Sequence, residues 1–392
     1  MTIFDPSILA NVTQPVAEAR GLPNRFYTDP AVYELEQQRV LAATWAGLSF
    51  ASYVPEIGDA MPINFCGTPL IIARGDDGEV RVFLNACRHR GMILLEEKRK
   101  IEGALRCPYH SWCYDLKGNL RATPHVGGPG QNAHGNIKRD ELGLIEVRSR
   151  VWRDVIFVNM DGKAPTFEDY AATLLDRWKE FEQPMYHGGT DSQFKLHLNT
   201  NWKLAVENYC ESYHLPWIHP GLNAYSRLED HYDIIEANQF SGQGTVVYNP
   251  SLSDDERELA NFPDLSDKWD TGAEYIAFFP NVLFGVHRDH AFAILLEPTG
   301  PATTTEHIEL YYATEEMCGD EYADMRVTNA AMWKEIFEED ITVVEGMQKG
   351  RQGSLFDGGK FSPAMDMPTH CFHDWVAKRF GCLLYTSPSP RD

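Results

Sequence analysis

Residues from about Phe26 to Trp45 alternate polar and apolar positions at a helical spacing, which predicts an N-terminal cap over residues 1–44. The pattern then changes to short β-rich runs, such as Leu70 to Ala73 and Val80 to Leu84. Turn signals at Gly75-Asp76-Asp77-Gly78 and Lys117-Gly118-Asn119 separate them, so a small antiparallel β domain is expected over residues 45–162. The stretch Gly162 to Thr166, with Pro165, marks the boundary, because the helix-favouring Phe167 to Phe181 follows it. Residues 163–381 mix helical patterns, around Trp202 to Leu215 and Met325 to Lys349, with four apolar β runs. Those runs are Glu274 to Phe279, Val282 to Val286, Ala291 to Glu297 and His307 to Ala313. The fold class this implies is α+β, with no alternating βαβ units. There is no internal repeat and no glycine-rich phosphate loop.

Length and charge narrow the possibilities. A chain of 392 residues is long enough for two domains that each bury a core, which is more than a simple electron carrier needs. Its 57 acidic and 35 basic residues leave a formal charge of −22, which repels phosphate backbones and anionic headgroups. No nucleic acid and no membrane surface is therefore expected as a partner. The acidity favours a cationic substrate or a basic redox partner, but it also serves plain solubility. No apolar run approaches the roughly 20 residues that cross a bilayer. Met1 to Arg20 lacks a basic region followed by an apolar stretch, so a cytoplasmic location is expected. The eight cysteines are too few for a disulfide framework in a chain of this size, which points to burial or metal binding. Cys382 to Asp392 (CLLYTSPSPRD) reads as a sequencing adapter translated into protein and is set apart from the fold, with the natural C-terminus expected elsewhere.

The cysteines and histidines form one informative constellation. Cys87-Arg88-His89 and Cys107-Pro108-Tyr109-His110 give Cys-x-His followed by Cys-x2-His. Each half places one thiolate and one imidazole in a tight loop. The thiolates can hold one iron and the imidazoles another, the ligand set of a Rieske 2Fe-2S centre. A zinc finger would keep its cysteine pair and its histidine pair in separate halves, whereas both halves here are mixed. Cys113 is expected to be a small buried residue.

A second constellation lies in Glu207-Asn208-Tyr209-Cys210-Glu211-Ser212-Tyr213-His214-Leu215-Pro216-Trp217-Ile218-His219. On one continuous helix His214 and His219 would point apart. Pro216 disfavours helix at Leu215 and is expected to end it there, letting His219 swing back on a loop. Two histidines alone could be ordinary packed residues. In Met332 to Lys349, however, Trp333, Ile336, Phe337, Val343, Val344 and Met347 form an apolar face with Asp340 in its middle. Glu335, Glu338 and Glu339 are expected on the polar side. A carboxylate in an apolar stripe costs several kcal/mol if unpaired. Iron(II) held by His214, His219 and Asp340 would answer that cost and leave positions open for O2 and substrate. A buried ion pair or a helix cap is the alternative for Asp340.

On these motifs the chain, from about Leu22 to Gly381, resembles the α subunits of Rieske-type ring-hydroxylating oxygenases. Respiratory Rieske proteins typically carry an extra cysteine after each ligand pair, and Cys113 has no counterpart after His89. The resemblance implies catalytic positions at Glu211 and Asn208, with Glu211 bridging His214 to His110 of a neighbouring subunit in a homotrimer. A surface acid on a helix is the alternative for Glu211. The resemblance also implies a separate flavin and iron-sulfur reductase that draws electrons from NAD(P)H, since no flavin or nicotinamide motif is visible in this chain. Naphthalene-type members carry Asp at the bridge and one more residue before the first iron histidine. Glu211 and the shorter segment are similar to the carnitine monooxygenase branch, which places arene dihydroxylation in doubt.

The expected activity is therefore monooxygenation of a small substrate, a quaternary ammonium compound of the choline, betaine or carnitine kind. Tyr209, Trp217, Tyr225, Tyr232 and Phe240 could cage such a cation, although aromatics so spaced more often build a core. Two other readings stay open: an aromatic ring-hydroxylating dioxygenase, and a Rieske electron-transfer protein without oxygenase activity.

Overall fold

The computed structural model describes residues 6–250 and 257–381, so the expected foreign tail from Cys382 to Asp392 lies outside the described residues. The described residues divide into two compact units, Ala42–Ala164 and a second made of residues 6–41 with those described after 164. The N-terminal segment, expected as a cap ahead of the β domain, belongs instead to the second unit.

In the Ala42–Ala164 unit seven antiparallel strands run in the spatial order Ala46–Phe50, Val155–Asn159, Glu146–Trp152, Val80–Leu84, Thr68–Arg74, Asp59–Phe65 and Arg99–Lys100. Alternation along a strand sends neighbouring side chains to opposite faces. Leu70, Ile72 and Val82 pack with Leu48, Val54 and Ile156 on one face. Ile71, Ala73 and Phe83 pack on the other with Cys87, Cys107, Trp112 and Tyr114. Both faces are thus covered, which explains why these strands read as continuous apolar runs. A small three-stranded sheet, Leu105–Arg106, Cys113–Tyr114 and Leu120–Ala122, carries the second cysteine loop.

The larger unit is built on an eight-stranded sheet. Its spatial order is Tyr186–His187, Thr303–Tyr312, His290–Gly300, Val282–Val286, Ala273–Phe278, Phe240–Thr245 and His231–Glu236, with Gln193–Leu198 also paired to Thr303–Tyr312. All of these pairings are antiparallel, as the α+β reading expects. Three helices, Trp202–Tyr209, Ala323–Gly350 and Met367–Gly381, close over one face. Trp202, Trp333, Phe372 and Trp375 from these helices meet Tyr275, Leu283, Phe292 and Ile308 from the strands in one core. The expected helix from Phe167 to Phe181 is broken into Phe167–Tyr170, Ala172–Arg177 and a tight turn at Lys179–Phe181. Packing of Phe167, Tyr170, Leu174, Trp178 and Phe181, all buried, overrides the local helical preference. Among the described residues no helix is long and apolar enough to cross a membrane.

The N-terminal segment joins this unit through burial. Phe26, Tyr27, Val32 and Val40 enter the same core as Trp202, Phe372 and Phe380. Glu36 forms an ion pair with Lys203, both side chains fully buried, and Trp202 Nε1 donates to Glu36 at 3.2 Å. Burial pushes the Glu36 carboxyl up and the Lys203 amine down, each opposed by the charge of its partner. Nearby, Glu207 accepts from the Tyr27 hydroxyl at 2.5 Å and from Arg351 at 3.4 Å, with His373 Nε2 at 3.1 Å. Burial alone would raise this carboxyl, but His373, Arg351 and Tyr27 hold it down at about 2.

Removing one member of the Glu36–Lys203 pair strands the other charge, so Lys203→Met is expected to destabilise the protein by about 3–5 kcal/mol in urea melts. The double variant Glu36→Met/Lys203→Met is expected to recover most of that loss. Glu207 is depressed in the folded state, so its contribution is present above the ordinary carboxyl value of 4.5 and lost as pH falls from there towards about 2. Acid titration of stability is expected to show a shallower fall over that window for Glu207→Gln than for the unaltered chain.

Candidate metal centres

Two loops of the Ala42–Ala164 unit close on the same backbone frame. Cys87 N donates to Met92 O at 2.8 Å and Gly91 N to Cys87 O at 2.9 Å. Cys107 N donates to Trp112 O at 2.8 Å and Ser111 N to Cys107 O at 3.0 Å. Each turn needs a left-handed residue four places after its cysteine, supplied by Gly91 at φ 76° and by Ser111 at φ 57°. The frame buries both cysteines and turns both histidines outward, His89 exposed and His110 half-buried.

The outward nitrogens converge, His89 Nδ1 and His110 Nδ1 lying 3.2 Å apart. Trp112 stacks on the His89 ring at 4.9 Å between centroids. The Tyr114 hydroxyl accepts from Arg88 N at 3.0 Å and lies 3.3 Å from Cys87 Sγ. Burial pushes the Cys87 thiol up, so a thiolate there calls for a cation beside it, and burial followed by the His110 charge pushes the His89 imidazole down to its neutral, ligating form. Two sulfur donors inside and two nitrogen donors outside fit a cluster in which the cysteine pair holds one iron and the histidine pair the other.

The second centre is assembled by three helical segments. The helix Trp202–Tyr209 ends well before Pro216, and a new turn, Leu215–Ile218, begins with Pro216 in its first two positions. The expectation that Pro216 ends a helix is therefore corrected: it starts one, where its missing N–H has no intrahelical partner to lose. His214 and His219 are the two caps of that single turn, and their ring centroids lie 5.1 Å apart.

Asp340 reaches the same point from the long helix Ala323–Gly350. Its Oδ1 lies 3.0 Å from His219 Nε2 and 3.7 Å from His214 Nε2. That oxygen is buried and makes no hydrogen bond, so the 3.0 Å approach is ionic in distance without hydrogen-bond alignment. His214, His219 and Asp340 offer donor atoms that all lie within 4.8 Å of one another. The other nitrogen of each ring is already engaged: His214 Nδ1 with Glu211 Oε1 at 2.7 Å, and His219 Nδ1 with Glu339 Oε2 at 2.6 Å. Carboxylates behind metal-ligating histidines fix the tautomer that leaves Nε2 free. An orphaned buried carboxylate oxygen facing two such nitrogens fits iron(II) in a two-histidine, one-carboxylate site.

A half-open cavity lies beside these three residues. Tyr209, Tyr275, Phe292, Trp333 and Phe337 supply its aromatic lining, and Asn208, His231 and Gln243 its polar lining. Phe292 is held against its strand neighbour Gly285, where any Cβ would come within 2.4 Å of the ring. Of the aromatics expected to cage a cation, Tyr209 alone lines this cavity. Trp217 is 68% exposed, Phe240 is in the core, Tyr232 donates to Glu274 at 3.1 Å, and Tyr225 donates to Met332 Sδ at 3.5 Å. Nearness to the histidines along the chain was a poor guide, because strands and the long helix supply most of the walls.

Comparison with known families decides what these centres belong to. The ring hydroxylating alpha subunit (catalytic domain) family matches residues 175–381, and the Rieske [2Fe-2S] domain family matches residues 44–137. The chain belongs to the ring-hydroxylating oxygenase α-subunit family. Membership brings a Rieske cluster and a mononuclear iron as cofactors and makes the protein an oxidoreductase that uses O2. Among its relatives, the carnitine monooxygenase oxygenase subunit of Escherichia coli (strain K12) is 27% identical over 348 residues, 87% of each chain. The glycine betaine monooxygenase oxygenase subunit of Chromohalobacter salexigens is 24% identical over 392 residues, covering 91% of this chain and 85% of the relative. Biphenyl 2,3-dioxygenase subunit alpha of Rhodococcus jostii is 32% identical over 218 residues, 52% of this chain and 45% of the relative. A quaternary ammonium Rieske monooxygenase shares the fold at TM-score 0.74 and 22% identity, covering 96% of this chain and 99% of that one. Naphthalene 1,2-dioxygenase from Rhodococcus sp. does so at TM-score 0.75 and 18% identity, covering 98% and 99%.

For this oxygenase subunit, the structure brings Cys87, His89, Cys107 and His110 onto one pair of loops and His214, His219 and Asp340 around one point. Asn208 lines the cavity, while its neighbour Glu207 turns away into the Tyr27 network. Glu339 is the correction: expected on the polar side of its helix, it folds back to hold His219. The hint was its position directly before Asp340, but only the placement of His219 gives it a partner.

Loaded protein is expected to hold about three irons per chain, two in the cluster and one alone. Asp340→Ala is expected to lose the single iron and keep the Rieske absorbance, measured by metal analysis and visible spectra. Glu339→Gln is expected to weaken iron binding by about 10–100-fold in chelator competition, with the cluster unchanged.

Proposed function

We propose that this chain is the terminal oxygenase of a Rieske-type system, supplied with electrons by a separate reductase, and that it monooxygenates a small quaternary ammonium compound of the choline, betaine or carnitine kind. The observation that carries the substrate class is the cavity beside the iron ligands, walled by five aromatic rings. Aromatic faces bind a fixed, non-titrating cation without the need for a carboxylate that would compete for the metal. Relatives named for carnitine, glycine betaine and choline point the same way.

When bound, the mononuclear iron supplies activation of O2 and the cluster supplies electrons one at a time. The chain's own residues do the rest. Glu211 and Glu339 hold His214 and His219 with their ligating nitrogens inward, and the aromatic walls exclude water and fix the substrate carbon near the open positions. Substrate, O2, two electrons and two protons give hydroxylated product and water. A carbon hydroxylated next to a quaternary nitrogen then loses that nitrogen as a tertiary amine, leaving an aldehyde and a proton.

Glu211, bonded to His214 through Oε1, is proposed as the link to His110 of a neighbouring subunit in a homotrimer, with a separate NAD(P)H-dependent reductase as the electron source. A solved quaternary ammonium Rieske monooxygenase is described with inter-subunit electron transfer, which supports this route. The second reading is an aromatic ring hydroxylase, favoured by the same apolar walls and by the 32% identity to the biphenyl dioxygenase subunit.

A panel of choline, glycine betaine, carnitine and aromatic acids, run with a surrogate reductase and followed by product mass, is expected to show aldehyde release from a quaternary amine. A hydroxylated ring with no amine turnover would replace the first reading by the second. In iron-replete, pre-reduced protein, Glu211→Gln is expected to cut the product formed by about tenfold or more.

A further inference from the structure

Trp333, one wall of the cavity, is held from behind. Its indole Nε1 donates to His290 Nε2 at 2.9 Å, and His290 Nδ1 lies 2.6 Å from Asp289 Oδ1. An indole nitrogen only donates, so His290 Nε2 carries no hydrogen. The imidazole proton therefore sits on Nδ1 and is donated to Asp289, which makes His290 neutral and fixes its tautomer at both ends. His290 is fully buried. The His287 ring lies parallel to it, 4.2 Å between centroids, and its Nε2 is 3.1 Å from the hydroxyl of Tyr275, another cavity residue. Burial holds His287 well below the usual imidazole range, so this second ring is neutral as well.

The brace reaches further than one side chain. Trp333 and Asp340 stand seven residues apart on the helix Ala323–Gly350, so they share a face to within about 20°. Both line the cavity. Any rotation of the helix that moves the indole also moves the carboxylate. Deprived of its acceptor, the buried indole N–H would be left unpaired, which disfavours the present depth of the ring.

We propose that His290, oriented by Asp289, is a positioning residue for oxygenation: by accepting the Trp333 indole hydrogen it sets the depth of that wall and the rotation of the helix that presents Asp340. It touches neither the metal ligands' donor atoms nor the cavity. The proposal concerns the shape of the cavity, and only the choice of test substrate rests on the quaternary ammonium reading.

The test uses the full protein, loaded with both iron centres, and compares H290F, H290Q, D289N, W333F and the H290F/W333F double variant. H290F is expected to raise KM for the fastest of choline, glycine betaine and carnitine by about five- to hundredfold, with iron content unchanged. Peroxide released per O2 consumed is expected to rise with it. H290Q, whose Oε1 accepts the indole hydrogen, is expected to restore KM to within about twofold, and H290F in the W333F background to add no more than about twofold. An unchanged KM in iron-replete H290F, or an equal effect of H290F with and without Trp333, would overturn the proposal. Should H290F fail to fold, D289N decides on the same scale, since losing the carboxylate frees the tautomer: a KM rise supports the brace and an unchanged KM removes it. If none of the three amines is oxidised, the substrate reading fails by itself. Resonance Raman spectra, with W333F as the blank, still decide the brace, because the strongly hydrogen-bonded indole band of Trp333 must be present in the unaltered protein and absent in H290F.

Discussion

A carboxylate without a proton partner, set into an aromatic core, is the constraint on which the catalytic unit depends. Asp340 lies on the helix face that also carries Trp333, Ile336 and Phe337, and its inner oxygen accepts no hydrogen bond. Burying an unpaired charge costs several kcal/mol, so the site favours a cation beside that oxygen. The two imidazoles cannot serve as that cation without giving up their ligating nitrogens. Both present Nε2 to Asp340 and keep Nδ1 for a carboxylate behind, an arrangement that asks for a metal.

Each histidine of the candidate metal site is therefore set by a carboxylate outside the His214, His219 and Asp340 cluster. Glu211 fixes His214 from within the same loop, and Glu339 fixes His219 from the residue next to Asp340. The helix carrying Asp340 is itself pinned through Trp333 to His290, and through Val344 O and Gln348 to the backbone and side chains at Thr200 and Asn201. Trp333 and Val344 lie in an extended apolar core, where a change of rotation at one point is felt two turns away.

The cluster unit solves a different problem with a repeated device. Both ligand loops use the same two backbone hydrogen bonds around a cysteine, although the histidine follows one cysteine by two residues and the other by three. The left-handed residue four places on, Gly91 in one loop and Ser111 in the other, lets the two turns bring their histidines to 3.2 Å. Sulfur is buried and nitrogen faces solvent, so the histidine edge is the more exposed side of the ligand set.

What the sequence determined by itself were the features written in short range. Mixed Cys-x-His and Cys-x2-His loops name their cluster by ligand order, short β-rich runs such as Val80–Leu84 name their strands, and an acid in the apolar stripe of a long helix names Asp340 as a candidate ligand. Tertiary structure alone decided the rest, because those relations join residues far apart along the chain. The helix break fell before Pro216, not at it, since a proline at the start of a turn has no hydrogen bond to lose. Glu339 reads as a surface acid until His219 arrives from 120 residues away, and the cavity walls come from strands that no spacing near the iron histidines could reveal. Phe26 and Tyr27 look like a leading cap in the sequence and are core of the catalytic unit in the fold, because burial is a property of where a side chain ends up and not of where it stands in the chain.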